Sequence, residues 1–105
     1  MREYNLEGRK MTDKTRTHEH LAHRLELPDS YGRNLDALWD ALMAIRKTSV
    51  INFNNPDAAV ENLGQYGELL LQTFKDAARA NHKVVLELDE NYEMMLVKGL
   101  QVGYT

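Results

Sequence analysis

Three short segments of the chain carry the hydrophobic pattern of strands. Residues 2–6 alternate polar and apolar side chains up to a Glu7-Gly8 turn, which predicts a first strand. Residues 47–53 contain the residue types that strands favour and predict a second strand. Residues 82–88 are apolar in their middle, so we expect the third strand to be covered on both faces or to lie at the centre of a sheet.

Apolar residues at helical spacing fill the interval between the first two strands. Thr15 is the predicted N-cap of a first helix that ends near Leu25, shortly before Pro28. The apolar face of this helix comprises His18, Leu21, Ala22 and Leu25. Asn34 is the predicted N-cap of a second helix. The buried stripe of the second helix is predicted from the i, i+3, i+4 and i+7 spacing of Leu35, Leu38, Trp39 and Leu42.

Two more helices are predicted between the second and third strands. Asn55 is placed as an N-cap and Pro56 as the first helical residue of a short helix that ends at Gly64. A longer helix over residues 66–80 follows and is capped at its end by Asn81. The face of the longer helix that we expect to be buried comprises Tyr66, Leu70, Thr73, Phe74 and Ala77.

The order of these elements is β-α-α-β-α-α-β, which predicts an α/β fold. Parallel strands need crossovers of this length, so we expect a small, three-stranded, mainly parallel sheet packed with about four helices. A chain of 105 residues fits one compact domain. Residues 92–105 are too apolar for a solvated tail, and we expect them to add an edge strand or to cover the sheet. The oligomeric state stays open, with a monomer as the expectation.

Composition and charge narrow the classes of function. The chain has no cysteine, which excludes a disulfide framework, a thiolate metal site and a cysteine nucleophile. Thirteen Lys and Arg against sixteen Asp and Glu give a net charge of −3, which disfavours direct binding to nucleic acid or to an anionic membrane and favours a basic partner. Without a long apolar run or a signal segment, a cytoplasmic protein is the expectation.

The second predicted helix carries the candidate functional residues. Asp36 and Asp40 lie one turn apart on the same flank, beside the edge of Trp39. Spacing alone is more typical of a solvated helix face than of a functional pair, and core packing is the more common role of a Trp on an apolar stripe, although its edge can still face a partner. Tyr31 and Gly32 before the helix fit either a turn in which Gly supplies positive φ or a backbone left open to another protein.

The sequence offers little support for an enzyme or a bound cofactor. His18, His20 and His23 suggest a metal site at i, i+3 spacing, but no further ligand stands at a recognisable distance, and a polar helix face is the better interpretation. No phosphate-binding glycine loop or nucleophile motif is present. A metal-dependent enzyme is therefore the last of three hypotheses, and no cofactor is expected.

Residues 27–40 read Leu-Pro-Asp-Ser-Tyr-Gly-Arg-Asn-Leu-Asp-Ala-Leu-Trp-Asp and closely resemble the signature of the barstar family, intracellular inhibitors of the secreted bacterial ribonuclease barnase. A looser likeness extends from residue 1 to about Leu88. The resemblance implies a three-stranded parallel sheet with about four helices, as the pattern predicts. It also implies a barstar-like domain over residues 1–89, with residues 90–105 as an extension packed on the same domain.

The resemblance implies that the loop and second helix fill the active site of a ribonuclease, where acidic side chains take the places of RNA phosphates. Asp40 matches the central aspartate, Asp36 matches its acidic neighbour, and Asp76 stands where the family has a peripheral glutamate. The remaining residues that the resemblance places at the partner are Asn34, Tyr31, Gly32, Trp39 and Ser30.

Four departures from the family pattern point to a related but different target, such as another ribonuclease or the nuclease domain of a larger toxin. Ser30 stands in place of an aromatic residue and Arg33 in place of an acidic one. Ala41 replaces a cysteine, and Ile45 replaces a Trp. The first hypothesis is thus an inhibitor of a basic ribonuclease. The alternative is a barstar-fold binding module with a regulatory or scaffolding partner that is not a ribonuclease.

Overall fold

A three-stranded parallel sheet forms one layer of the protein, whose computed structural model describes residues 1–89. The strands are β1 (Arg2–Glu7), β2 (Ser49–Asn54) and β3 (Val84–Leu88). Their spatial order is β1-β2-β3, and both pairings are parallel. The predicted α/β class and the parallel sheet are confirmed.

Four helices supply the crossovers between these strands. The helices are α1 (Lys14–Arg24), α2 (Leu35–Met43), α3 (Pro56–Leu63) and α4 (Gln65–Ala80). A short 3₁₀ turn at Gly8–Lys10 follows β1. The element order agrees with the prediction, and two helices join each pair of successive parallel strands. No helix within residues 1–89 has both the length and the apolar content needed to cross a membrane.

The predicted N-cap of α1 was wrong by two residues. Asp13, not Thr15, takes the extended backbone of an N-cap, and its Oδ1 accepts a hydrogen bond of 2.7 Å from the backbone N–H of Arg16. Thr15 lies inside the first turn. Both residue types are good caps, and the carboxylate has the additional advantage of a charge that complements the helix dipole.

The start of α3 agrees with the prediction in position but not in mechanism. Pro56 is the first helical residue, and Asn55 precedes it. Asn55 has a left-handed backbone, with φ of 51°, and its side chain makes no capping bond. It donates instead to both carboxylate oxygens of Glu7, each at 3.0 Å, and so fastens the helix start to the end of β1.

The predicted position of β3 was also wrong. Within the part of the chain that the structure describes, β2 is the central strand and β3 lies at an edge. Val84 is buried, whereas Val85 is 36% exposed and Glu87 is exposed, so within residues 1–89 a single face of β3 packs on the core. The apolar run in the middle of residues 82–88 includes Val85, whose side chain is exposed, and for this reason the sequence predicted a strand covered on both faces. The expectations for residues 92–105 lie outside the described residues.

The core lies between the sheet and the helices. Phe53 of β2 and Phe74 of α4 are fully buried and meet edge to face, with ring centroids 5.5 Å apart. α2 packs against α4. On α2, Leu38 and Leu42 are buried. On α4, the buried residues are Gly67, Leu70, Leu71, Phe74 and Ala77, so Leu71 extends the predicted face while Tyr66 and Thr73 are only half-buried.

Candidate functional site

The loop before α2 is held to the helix by one side chain. Oδ1 of Asn34 accepts a hydrogen bond of 2.7 Å from the backbone N–H of Ala37, as the predicted N-cap requires. Nδ2 of Asn34 donates to the carbonyl oxygen of Gly32 at 3.3 Å. Asn34 therefore joins the first turn of α2 to the preceding loop and fixes their relative position.

The two faces of α2 have opposite character. Leu38 and Leu42 are buried in the core, while Asp36 and Asp40 are exposed. Leu35 and Trp39 are half-buried and pack against the edge of the core. Asp36 lies in the first turn, where its negative charge complements the helix dipole. The geometry therefore presents two carboxylates to solvent from a helix anchored by its inner leucines.

Asp40 lies in a groove between the loop and α2. The groove has a volume of about 410 Å³, and its wall includes Ser30, Tyr31 and Gly32. The other lining residues are Leu27, Pro28, Ala37, Ala41 and Ala44, which makes the lining largely apolar. The structure thus brings four of the predicted partner-binding residues together. Asp36, Trp39 and Asp76 do not line this groove, and Asn34 lies at a neighbouring cleft.

Gly32 is explained by close packing and not by positive φ. Its backbone has no left-handed conformation, and a Cβ at this position would lie 3.1 Å from the Cβ of Ala37. The left-handed residue of the loop is its neighbour Arg33, with φ of 55°. Of the two interpretations of Gly32, the turn with positive φ is therefore wrong.

Asp76 stands apart on α4, which packs beside α2. Its side chain is exposed, and Oδ1 accepts a hydrogen bond of 2.8 Å from Nε2 of Gln72. Arg79 approaches the same oxygen at 3.4 Å. These two neighbours on the same helix orient the carboxylate, and the exposed ion pair with Arg79 adds little energy.

His18 is buried at the foot of the loop and is fully hydrogen-bonded. It is 2% exposed, and Nδ1 lies 2.7 Å from the hydroxyl of Tyr31 while Nε2 lies 2.6 Å from the hydroxyl of Tyr66. Burial, and secondly the charge of Arg33, lower the pKa of His18. Burial raises the pKa of Tyr31 to about 12 and also raises the pKa of Tyr66. At neutral pH the imidazole is therefore neutral and both phenols keep their hydrogens.

The same contacts argue against a metal at the histidines of α1. Both ring nitrogens of His18 are engaged by tyrosines, and Nε2 of His20 accepts a hydrogen bond of 2.9 Å from the backbone N–H of Glu7. Over residues 1–89, no group of three or more His, Asp or Glu side chains is placed to hold a metal ion. His18 and His20 act as structural hydrogen-bonding groups, and His23 is the exposed member of the three histidines of α1.

Sequence reasoning missed the cleft that adjoins Asn34. Its lining residues are Lys14, Thr15, His18, Arg33, Asn34 and Tyr66. One signal was available, since His18 occupies the apolar face of α1, and a polar residue at a buried helical position indicates a buried hydrogen-bond partner. The partner itself is 48 residues away in the chain, so no local pattern identifies Tyr66.

Comparison with known proteins places this arrangement in a family. Residues 1–91 match the family model described as "Barstar (barnase inhibitor)". The chain is also similar to a Bacillus subtilis (strain 168) protein named "Putative ribonuclease inhibitor YrdF", with 31% identity over 91 residues that cover 83% of this chain and 100% of the relative. The resemblance carried by the segment from Leu27 to Asp40 is confirmed, and the chain belongs to the barstar family.

Proposed function

We propose that the protein inhibits a basic ribonuclease of the barnase type by covering its active site with the loop at residues 29–34 and the outer face of α2. The family match and the relative's name support an inhibitor of a ribonuclease. In this proposal the protein binds its target and performs no chemistry. The observation that carries the proposal is the position of the exposed Asp40 carboxylate in the groove beside the loop.

The physical basis of the proposed inhibition is charge mimicry. A ribonuclease must bind phosphates, so its active site presents Arg, Lys or His side chains. These side chains can also donate hydrogen bonds to a carboxylate. Asp40 would occupy the position of the reacting phosphate, and Asp36 that of a neighbouring one. Asp76 would meet the rim of the enzyme from α4.

The groove gives the carboxylate a defined setting. Because Asn34 fixes the loop against the first turn of α2, the backbone positions of Ser30, Gly32 and Asp40 change little on binding, and little ordering entropy is lost. The apolar wall of the groove and the half-buried Trp39 offer area for close packing around the charge. Tyr31 contributes through its ring, because its hydroxyl is committed to His18.

Affinity capture from the producing cells tests the proposal. Tagged protein is incubated with cell extract, bound material is released with salt, and RNA hydrolysis is measured before and after release. We expect a ribonuclease that is silent while bound and active once released. For the purified pair, Asp40→Ala should raise Kd at least about thirtyfold, as truncation of an interface hot spot does.

Glu61→Ala is the matched control for Asp40→Ala. Glu61 is an exposed carboxylate on α3, outside the groove, so its removal changes the net charge by the same amount. We expect capture and inhibition to survive Glu61→Ala. Retention of a partner without nuclease activity, or equal effects of the two substitutions, would contradict the proposal and favour a binding module with another type of partner.

A further inference from the structure

A second, cationic cleft is lined by the loop residues that directly follow those of the Asp40 groove. It has a volume of about 330 Å³, and Lys14 of α1, Arg33 of the loop and Tyr66 of α4 contribute to its walls. Asn34 lines it as well, so the cleft adjoins the N-terminus of α2 that carries Asp36. The two recesses are therefore neighbours, since consecutive loop residues line them, Gly32 in one and Arg33 in the other.

Matching the donors and acceptors of His18, Tyr31 and Tyr66 leaves one hydrogen-bond donor available at this cleft. Neutral His18 has one N–H, so it donates to one tyrosine hydroxyl and accepts a hydrogen bond from the other. Tyr31 is 9% exposed and needs an acceptor for its hydrogen, which Nδ1 of His18 supplies. Nε2–H then donates to the oxygen of Tyr66, so the hydroxyl hydrogen of Tyr66 is not used by His18 and can be donated to an acceptor in the cleft that Tyr66 lines.

Positive charge surrounds this donor. Nζ of Lys14 lies 4.6 Å from the centre of the Tyr66 ring, within the range of a cation–π contact. The guanidinium of Arg33 lies 4.0 Å from a carboxylate oxygen of Glu19, and both side chains are more than half exposed. Such an exposed pair is weak, so a better-placed anion readily replaces Glu19. Ammonium, guanidinium and phenol all donate hydrogen bonds, and together they fit an anionic group.

We propose that this cleft binds a carboxylate side chain of the partner ribonuclease, an Asp or Glu at the rim of its otherwise basic active site. The inference rests on the proposed function and specifies the partner further. The target would be a ribonuclease whose charges are the complement of this surface, with cations facing Asp36 and Asp40 and an anion facing Lys14 and Arg33. Charge repulsion by Arg33 would weaken the binding of a ribonuclease that is basic throughout the contact.

A protein carboxylate fits better than a nucleic-acid phosphate. Asp36 and Asp40 lie on the adjoining surface, and a phosphate chain that passed the cleft would meet both of these negative charges. A side chain from a docked protein brings a single anion into the cleft while the cations of the same partner satisfy the aspartates. The overall charge of −3 argues in the same direction.

Two measurements test the proposal. In the first, sodium acetate is titrated into the protein at constant ionic strength, and backbone NMR shifts of Lys14, Arg33 and Tyr66 are followed. We expect a saturable shift that Tyr66→Phe weakens and Arg33→Gln abolishes. In the second, Kd for the captured ribonuclease is compared between wild type and Arg33→Gln, and we expect an increase of about fivefold.

Arg24→Gln is the matched control, since Arg24 is exposed at the opposite end of α1 and loses the same charge. It should leave the acetate shifts and Kd unchanged. If Asp40→Ala weakens the complex while Arg33→Gln behaves as Arg24→Gln does, the cleft proposal is overturned and the proposed function stands. If Asp40→Ala has no effect on Kd, the proposed function is contradicted, and the cleft proposal that rests on it is overturned as well. Saturation by inorganic phosphate but not acetate would make the cleft a free-anion site and overturn the proposal.

Discussion

At the scale of single residues, the unusual feature is the pair of histidines that serve as neutral hydrogen-bonding groups. His18 bridges two tyrosines, and His20 accepts from the backbone at the end of β1. Burial is the largest cause that lowers the pKa of both rings. These contacts hold α1 against the loop and the sheet. The bond that Nε2 of His20 accepts requires an unprotonated ring, and burial favours the neutral form of His18.

The stability of the protein should therefore fall in mild acid. A histidine with a lowered folded pKa stabilises the fold fully above pH 6.5, its ordinary value, and that contribution is lost as the pH falls through the folded pKa. Each such histidine changes the free energy of unfolding by up to about 1.4 kcal/mol per pH unit. Urea unfolding between pH 7.5 and 5 measures this slope. His18→Gln should flatten it, whereas the exposed control His23→Gln should not.

At the scale of elements, the side chain of Asn81 connects the end of α4 with the end of α2 and the start of β3. Nδ2 of Asn81, after α4, donates to the carbonyl oxygens of Leu42 and Ile45 at the end of α2, both at 3.0 Å. Its Oδ1 accepts from the backbone N–H of Lys83 just before β3, also at 3.0 Å. The helix that carries the aspartates is thus tied at its C-terminus by Asn81, as it is capped at its N-terminus by Asn34.

Substitution of Asn81 should destabilise the protein in a defined order. Asn81→Ala leaves two carbonyl oxygens without their donor and should cost about 1–3 kcal/mol. Asn81→Asp keeps the shape but sets a carboxylate against those oxygens, so we expect a larger loss. Thermal unfolding of both variants is the measurement, with Asn62→Ala as control because Asn62 makes one 3.3 Å bond. Equal stability of the Ala and Asp variants would contradict this role.

The elements could be predicted where the signal is local. The caps at Asn34 and Asn81 and the alternation of β1 follow from residue types a few positions apart, and the structure confirms them. The cap of α1 was missed because Asp13 and Thr15 are both suitable and stand two residues apart. The cleft around Tyr66 was missed because its contact with His18 spans 48 residues. Sequence patterns of this kind describe neighbours along the chain and not neighbours across the fold.

At the scale of the whole molecule, the net charge of −3 conceals an uneven distribution of charged side chains. Asp36 and Asp40 face solvent on α2, whereas Arg2, Arg46 and Lys47 line a shallow groove of about 190 Å³ at the N-terminal end of the sheet. Over distances longer than about 10 Å, salt screens such charges from one another in solution. An approaching basic enzyme therefore responds to the local acidic face more than to the total charge.

Association with the ribonuclease should slow as salt increases, and local charge should dominate the effect. Asp36→Asn and Glu61→Gln change the net charge equally, but only Asp36 lies on the α2 face. Stopped-flow measurements at several salt concentrations should show a lower association rate and a shallower salt dependence for Asp36→Asn than for Glu61→Gln. If the two variants match, steering by this face is disproved.

The arrangement of α2 also bears on how such an inhibitor changes its target during evolution. The inward positions Leu38 and Leu42 hold the helix in place, while the outward Asp36 and Asp40 are exposed to solvent. Most of the proposed partner contacts come from a single stretch of the chain, residues 30–40, and the others come from Lys14, Tyr66 and Asp76. Substitutions at the exposed positions of this stretch can therefore change the partner that is recognised, while Leu38, Leu42 and the Asn34 cap keep the helix in place.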